Sequence, residues 1–197
     1  KLKVVDIPDN QTDHFGKKLA LTLGIKAAKN NHLLFTDADC YPYSNSWISN
    51  MSRGFQNKKE IVLGAGIYEK ESGLLNKIIR YDTAQIATNY MSFSKAKITY
   101  MGVGRNLGYT QDLYYLNEGF KSHYYIESGD DDLFVNQASK NDNSEIVFNK
   151  ESITISYPQK KWRDWVNQKK RHHSTNNKYK NSHKIILGFQ YLSSFLF

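Results

Sequence analysis

Short apolar runs alternate with longer segments of helical spacing along most of this chain, and that alternation limits the possible fold more than any other feature. Residues 32–36 (HLLFT) and 61–68 (IVLGAGIY) are short apolar runs typical of strands. Residues 15–28 and 74–90 repeat their apolar side chains at three- and four-residue intervals, which is typical of helices. Strands that alternate with helices favour an α/β fold with a mainly parallel sheet.

The remaining segments fit the same pattern. We predict further strands at 2–7, 145–148 and 153–157, and further helices at 46–55, 111–117, 130–138 and 162–171. Residues 98–109 contain three glycines, which suits a pair of strands bent where a ligand approaches the backbone. Since no repeat, low-complexity run or linker divides the 197 residues, we interpret the chain as one domain with a C-terminal tail.

The positive charge of the chain is concentrated near its C-terminus. The formal net charge is +8, which by itself favours a nucleic-acid-binding protein. Residues 158–184 hold nine Lys or Arg and a single acid, Asp164, whereas the rest of the chain carries eighteen groups of each sign. Aromatic residues are not interleaved with this charge as stacking platforms. We therefore predict no nucleic-acid partner.

An apolar tail follows the basic segment. A basic stretch before apolar residues is typical of the cytoplasmic flank of a membrane helix. Residues 185–197 (IILGFQYLSSFLF) are fewer than the ~20 that span a bilayer. The tail is therefore a truncated span, an interfacial helix, or a helix packed back on the domain. The single cysteine, Cys40, excludes an internal disulfide and fits a reducing, cytosolic setting.

Two carboxylates follow the predicted strand at 32–36. Asp37 and Asp39 are one residue apart, and ligands of open α/β sheets bind beyond the carboxyl ends of strands. Such a pair can converge on a hard cation such as Mg²⁺ or Mn²⁺. A cation there can neutralise a diphosphate leaving group. The same pattern also occurs in solvated turns and helix caps, so by itself it leaves both interpretations open.

Three consecutive acids begin a later predicted helix. Asp130, Asp131 and Asp132 follow Gly129, and helix capping together with the helix dipole accounts for one or two of them. A third adjacent carboxylate adds repulsion without further capping, which suggests a chemical use. Such a cluster can hold a general base in place, with neighbouring acids orienting the base or the acceptor.

The basic helix predicted at 162–171 carries a third candidate motif. Gln168 and Arg171 lie three residues apart and therefore share a helix face. The planar fork of an arginine suits phosphate oxygens, and the glutamine adds a neutral donor. Trp162 and Trp165 form a second such row, which either stacks on a sugar ring or packs the helix.

Taken in order, these motifs resemble the GT-A glycosyltransferases of family 2. The resemblance rests on residues 16–22 (GKKLALT), 33–40 (LLFTDADC), 104–109 (GRNLGY), 118–120 (EGF), 129–132 (GDDD) and Gln168-x-x-Arg171. It covers nearly the whole chain and is closest to the membrane-associated bacterial branch that includes cellulose- and hyaluronan-synthase-like enzymes. It implies a Rossmann-related GT-A fold with a mixed, mainly parallel sheet flanked by helices.

The resemblance implies a nucleotide-sugar donor and residues that bind it. Asp39 is implied as the direct ligand of Mg²⁺ or Mn²⁺, and Asp37 as a donor-binding residue that also helps to hold the metal. Lys17 is implied beside the donor. Gln168 and Arg171 are implied to close over its diphosphate.

The catalytic and acceptor residues are implied in the same way. Asp131 corresponds to the catalytic base of the family, and Asp130 lies beside it in the catalytic motif. The sugar and acceptor site is implied to include four residues: Gly104, Arg105, Asn106 and Asp132. The implied reaction inverts the anomeric carbon and transfers the sugar to a glycan or lipid-linked acceptor, in polysaccharide biosynthesis at the cytoplasmic face of the inner membrane.

The chain departs from the family pattern at two places. His172 follows Arg171 where processive synthases have a tryptophan, which puts processivity in doubt. The chain also begins after the first nucleotide-binding strands of the family. We therefore expect an N-terminally truncated sequence, with a partial catalytic domain at 1–182 and the start of a membrane-associated or transmembrane helix at 183–197.

Three other kinds of protein are compatible with part of the pattern. A metal-dependent nucleotidyltransferase or phosphatase also uses Asp-x-Asp but has no need of Gln168 and Arg171. A basic nucleic-acid-binding protein accounts for the net charge. A non-catalytic scaffold from a truncated glycosyltransferase gene accounts for the missing N-terminal strands.

Overall fold

The architecture follows from a computed structural model, which describes residues 4–6, 16–126, 128–140 and 142–196. The helices are α1 (Gly16–Ala27), α2 (Trp47–Ser52), α3 (Leu74–Lys95), α4 (Gln111–Leu116), α5 (Asp132–Ala138), α6 (Trp162–His173) and α7 (Asn181–Leu196). The strands are β1 (His32–Phe35), β2 (Cys40–Pro42), β3 (Ile61–Gly64), β4 (Gly66–Tyr68), β5 (Leu107–Thr110), β6 (Ser144–Val147) and β7 (Thr154–Ser156).

The larger of the two described sheets has the strand order β1-β5-β3-β6. β5 pairs antiparallel with both β1 and β3, whereas β3 and β6 are parallel. The mixed α/β fold with flanking helices is confirmed. Parallel pairing is less frequent than we expected, because β5 enters the sheet between β1 and β3 in the opposite direction.

The smaller described sheet has the strand order β2-β7-β4, and its strand β2 begins directly after the Asp-x-Asp motif. β7 pairs antiparallel with β2 and parallel with β4. Ser156 is opposite Cys40 on one side and Tyr68 on the other, so these three residues share one face of the sheet. The backbone that leaves Asp39 is thereby fixed in register with β7.

The core lies between the larger sheet and the helices. All four residues of β3 and of β5 are buried, since both strands are covered on their two faces. Aromatic rings fill much of the volume: Tyr109 of β5 lies 4.3 Å from Phe35 and 4.5 Å from Phe134 of α5, measured between ring centroids. Thr110 caps α4 by accepting the backbone N–H of Leu113.

Most predicted elements are present, with shifts of a few residues at their ends. The predicted strand at 61–68 is two strands in different sheets, separated at Ala65. The predicted strand pair at 98–109 is a 3₁₀ turn, Gly104–Asn106, followed by β5. The predicted strand at 2–7 lies mostly outside the described residues, and its described part, 4–6, is not in a strand.

The C-terminal helix α7 packs on the domain along one side only. Leu187 packs against the main core, and Gln190 donates to the side-chain oxygen of Asn89 on α3 at 2.8 Å. Ile185, Phe189 and Leu192 form an i, i+4, i+7 stripe, and each is at least 60% exposed. Within the part of the chain that the structure describes, no helix is long and apolar enough to cross a membrane.

Candidate active site

Three charged side chains from separate parts of the chain converge at Gly104. A Cβ atom placed on Gly104 would lie 3.3 Å from Oδ2 of Asp131, 3.4 Å from Nζ of Lys17 and 3.5 Å from Oδ1 of Asp37. The backbone N–H of Gly104 also donates to Oδ2 of Asp131 at 2.7 Å. A side chain at this position would therefore crowd the three groups, and glycine avoids that.

Lys17 joins the Asp-x-Asp motif to the acidic motif. Its Nζ atom lies 2.5 Å from Oδ1 of Asp37 and 3.0 Å from Oδ2 of Asp130. Burial disfavours the ammonium, but Asp130 and Asp37 outweigh that effect and raise the pKa of Lys17 above its ordinary value. The amine consequently stays charged and holds two carboxylates of distant sequence at one place.

Asp131 sits at the N-cap of α5 with its carboxylate turned toward the backbone of Gly104. Its Oδ1 accepts the backbone N–H of Asp132 at 2.7 Å, and its Oδ2 accepts that of Gly104. Burial raises the pKa of Asp131 to about 7, with Asp132 and Asp130 adding to the effect. A carboxyl with that pKa is suited to exchange a proton near neutral pH.

Lys18, the residue after Lys17, binds the backbone of the segment that precedes the acidic motif. Lys18 is only 2% exposed, and its ammonium donates to the backbone oxygens of His123, Ile126 and Ser128, two of them at 2.9 Å and 2.7 Å. These carbonyls precede Gly129, whose φ of +97° suits glycine. Burial lowers the pKa of Lys18. The buried amine thus fixes the loop that leads into Asp130 and Asp131.

Asp37 and Asp39 provide donors that fit a divalent cation. Side-chain ligand atoms of Asp37, Asp39 and Cys40 lie within 4.8 Å of one another. Carboxylate oxygens suit Mg²⁺ and Mn²⁺. Burial raises the pKa of the Cys40 thiol to about 11, and its sulfur lies 3.0 Å from Oγ of Ser156. Cys40 is therefore a neutral thiol, and the two carboxylates are the better ligands.

Gln168 and Arg105 are linked through Tyr68. Nε2 of Gln168 lies 3.5 Å from the hydroxyl of Tyr68, and the guanidinium carbon of Arg105 lies 4.7 Å from the centroid of the Tyr68 ring. Nη1 of Arg105 is buried and has no hydrogen-bond partner among the described residues. The predicted diphosphate motif is thus connected to the segment that carries Gly104.

Arg171 lies on the exposed side of α6. It forms no ion pair with the acidic cluster within the described residues. The neighbouring Lys169 instead pairs with Asp82 of α3. Of the two residues predicted to bind the diphosphate, the structure connects Gln168 to the cleft and leaves Arg171 at the surface.

Two residues predicted to contact the sugar or acceptor are buried. Asn106 is inaccessible: its amide donates to the oxygens of Ala65 and Ser152 and accepts from the indole of Trp47. Asp132 is buried against Thr175 and Tyr179. In this structure both side chains are occupied inside the protein, where they fix the neighbouring segments, and their predicted contact with the sugar or acceptor stays a prediction.

Four residues that shape the site were not singled out from the sequence: Lys18, Tyr68, Thr175 and Tyr179. Lys18 lies in an amphipathic helix, where a lysine normally indicates a solvated position. Thr175 and Tyr179 lie in a polar stretch without helical or strand periodicity. No local signal distinguishes them, because their partners are distant in sequence.

Comparison with known proteins gives the family of the chain. The sequence model described as glycosyl transferase family 2 matches residues 8–116, which is more than half of the chain and includes Lys17, Asp37, Asp39 and Gly104. No curated protein matches the chain in a sequence search. Because the match covers more than half of the chain, the chain belongs to glycosyltransferase family 2.

Proposed function

We propose that the protein transfers a sugar from a nucleoside-diphosphate sugar to an acceptor hydroxyl with inversion of the anomeric carbon. The observation that carries the proposal is the convergence of Asp131, Lys17 and Asp37 around Gly104 in a member of this family. The cluster combines a carboxyl of raised pKa with the ammonium of Lys17, which suits a diphosphate. A single displacement needs these two elements and no separate nucleophile.

In this reaction Asp131 takes the proton of the acceptor hydroxyl. The hydroxyl oxygen forms a bond to the anomeric carbon as the bond between that carbon and the diphosphate oxygen breaks, and the diphosphate leaves with the electron pair. Backbone N–H groups of Gly104 and Asp132 orient the carboxylate, and each of its oxygens keeps a second lone pair for the proton. Asp130 acts through Lys17, which it helps to position.

The leaving diphosphate requires positive charge. Lys17 supplies one charge within the cleft, and Gln168 is placed by Tyr68 to add a donor. Asp37 and Asp39 would hold Mg²⁺ or Mn²⁺, which when bound neutralises phosphate oxygens. Arg171 adds a second positive side chain for the diphosphate if α6 turns its exposed face toward the donor. Loss of one such donor typically costs ~10²–10³ in rate.

We further propose that the enzyme acts at the cytoplasmic face of the cell membrane on a glycan or lipid-linked acceptor. The support is the exposed stripe of Ile185, Phe189 and Leu192 on α7, which follows a segment rich in Lys and Arg. An apolar stripe beside basic residues suits an interfacial helix on an anionic surface.

The donor class is tested by thermal denaturation with nucleoside-diphosphate sugars in the presence of Mn²⁺. A ligand that binds only the folded state raises the melting temperature in proportion to its saturation. We expect stabilisation by at least one donor, lost in the Asp39→Asn variant but kept in Asp142→Asn, which changes an exposed surface acid. Stabilisation by nucleic acid that survives moderate salt, with none by any donor, would support a nucleic-acid-binding protein instead.

A further inference from the structure

Asp132, the third residue of the acidic motif, contacts the C-terminal part of the chain. Oδ2 of Asp132 accepts hydrogen bonds from the Thr175 hydroxyl at 2.5 Å and from the Tyr179 hydroxyl at 2.8 Å. Its Oδ1 accepts the backbone N–H of Leu133 at 2.7 Å. A buried carboxylate is tolerated only where donors replace its water, and here both oxygens have such donors.

Thr175 and Tyr179 belong to the segment directly after α6. Thr175 lies four residues beyond Arg171 and is fully buried, and Tyr179 is part of the main core. By contrast, no residue of α6 is buried. The C-terminal end of α6 is therefore held by Thr175, whereas the helix itself rests on the domain through polar contacts.

Further contacts extend along the same face of α5. Asp132, Asn136 and Ser139 follow i, i+4, i+7 spacing. The backbone N–H of Lys180 donates to Oδ1 of Asn136 at 2.9 Å, and Nζ of Lys180 donates to the backbone oxygen of Ser139 at 3.0 Å. We refer to these contacts, together with those of Asp132 to Thr175 and Tyr179, as the α5 seam.

The α5 seam lies between two parts of the proposed active site. Asp131 is the N-cap of α5, so the proposed base directly precedes the seam. Gln168 and Arg171 lie on α6, which ends where the other side of the seam begins. The distance between the base and the diphosphate-binding side chains therefore depends on how α5 holds Thr175 and Tyr179.

We propose that the α5 seam positions Gln168 and Arg171 over the donor relative to Asp131, with Asp132 as its central positioning residue. The inference rests on the proposed function, which assigns Gln168 and Arg171 to the diphosphate. Because α6 buries none of its own residues, loss of the seam frees its C-terminal end. Contacts to the diphosphate then weaken, while Asp131 keeps its own bond to Gly104.

The test uses the natural enzyme and the variants Thr175→Val and Tyr179→Phe, each of which removes one hydroxyl and little volume. Affinity for uridine or guanosine diphosphate with Mn²⁺ is measured by calorimetry, and KM and kcat are measured for the matching donor. We expect diphosphate affinity to fall about tenfold and KM for the donor to rise by a similar factor. We expect kcat to fall as well, because the same side chains stabilise the leaving diphosphate. Thr175→Ser keeps the hydroxyl and should restore the affinity.

The matched control is Tyr114→Phe. Tyr114 is a buried tyrosine whose hydroxyl bonds to Thr22 at 2.9 Å in the core, away from α6. This variant should lose stability similarly but keep diphosphate affinity. Unchanged affinity in both seam variants, or an equal loss in Tyr114→Phe, overturns the inference. If the wild-type enzyme binds neither of these nor any other nucleoside diphosphate, the proposed function itself fails and the seam proposal falls with it.

Discussion

The Nζ atom of Lys17 lies 2.5 Å from Oδ1 of Asp37, twenty residues further along the chain, and the same amine pairs with Asp130. One side chain at the start of α1 thereby brings the Asp-x-Asp motif and the acidic motif into a single cleft. The next residue, Lys18, faces the protein interior and binds three backbone carbonyls. Lys17 thus belongs to the candidate active site, whereas the adjacent Lys18 stabilises the fold.

This separation predicts different outcomes for the same substitution at neighbouring positions. Lys17→Met should destabilise the fold less than Lys18→Met, because the Lys17 side chain is 47% exposed, although its partner Asp130 is only 12% exposed. Its donor affinity should fall at least tenfold. Lys18→Met should destabilise the fold by about 2 kcal/mol or more, because one buried and two partly buried carbonyls lose their donor.

Chemical denaturation and donor titration of the two variants, side by side, check this prediction. Equal destabilisation by both substitutions, or normal donor affinity in Lys17→Met, would show that the two lysines do not divide their roles in this way.

The space around Gly104 predicts a strong effect of a single methyl group. In Gly104→Ala the new Cβ would lie 3.3 to 3.5 Å from the charged atoms of Asp131, Lys17 and Asp37, where a ligand must fit. We expect kcat/KM to fall at least tenfold with little change in stability. Gly24→Ala is the control, since a Cβ there meets nothing within 4 Å and alanine favours the helix by roughly 0.5–1 kcal/mol. Full activity in Gly104→Ala would place the reacting groups elsewhere.

The raised pKa of Asp131 predicts a specific pH dependence. Because the base must be ionised, kcat/KM should rise with pH through an apparent pKa near 7. The free energy of unfolding should change with pH in the opposite direction. Because the folded state favours the protonated carboxyl of Asp131, this group stabilises the fold fully below about pH 4, and its stabilising effect is lost as pH rises through 7. Rate profiles and denaturation between pH 5 and 8 test both directions; a rate that is flat across this range contradicts the assignment.

The exposed stripe of α7 predicts binding to anionic vesicles. Sedimentation with vesicles containing phosphatidylglycerol should retain the wild-type protein at low salt and release it as salt increases. Replacing both Ile185 and Phe189 with serine should weaken retention about tenfold or more. Ile48→Ser is the control, because Ile48 is 65% exposed on a different helix. Retention that is unaffected by the double substitution would remove α7 from membrane binding.

The sequence predicts the elements of the site better than their spatial connections. Asp37 and Asp39 follow the end of a strand, and Asp131 directly precedes a helix. Local patterns at such positions indicate chemistry, and the structure places Asp37 and Asp131 together. Asn106 and Asp132 belong to equally recognisable motifs but are buried. Burial depends on distant partners such as Trp47 and Thr175, and no local spacing encodes those partners.

Local sequence patterns also fail to determine the direction and the partners of the strands in the sheet. Periodicity located β5 as part of a bent apolar segment, but it does not determine strand direction. Hydrogen bonds with β1 and β3 on either side make β5 antiparallel to both. The split of 61–68 at Ala65 is likewise decided by partners, since β3 pairs with β5 and β6, while β4 pairs with β7.

The central claim is that Asp131 removes the proton from the acceptor in a cleft shared with Asp37 and Lys17. The most direct measurement is the rate of sugar transfer by Asp131→Asn at saturating donor, with donor affinity measured on the same sample. We predict a rate loss of roughly 10²–10⁴, as expected for a general base, with donor affinity within threefold of wild type. Near-normal transfer by this variant would contradict the account.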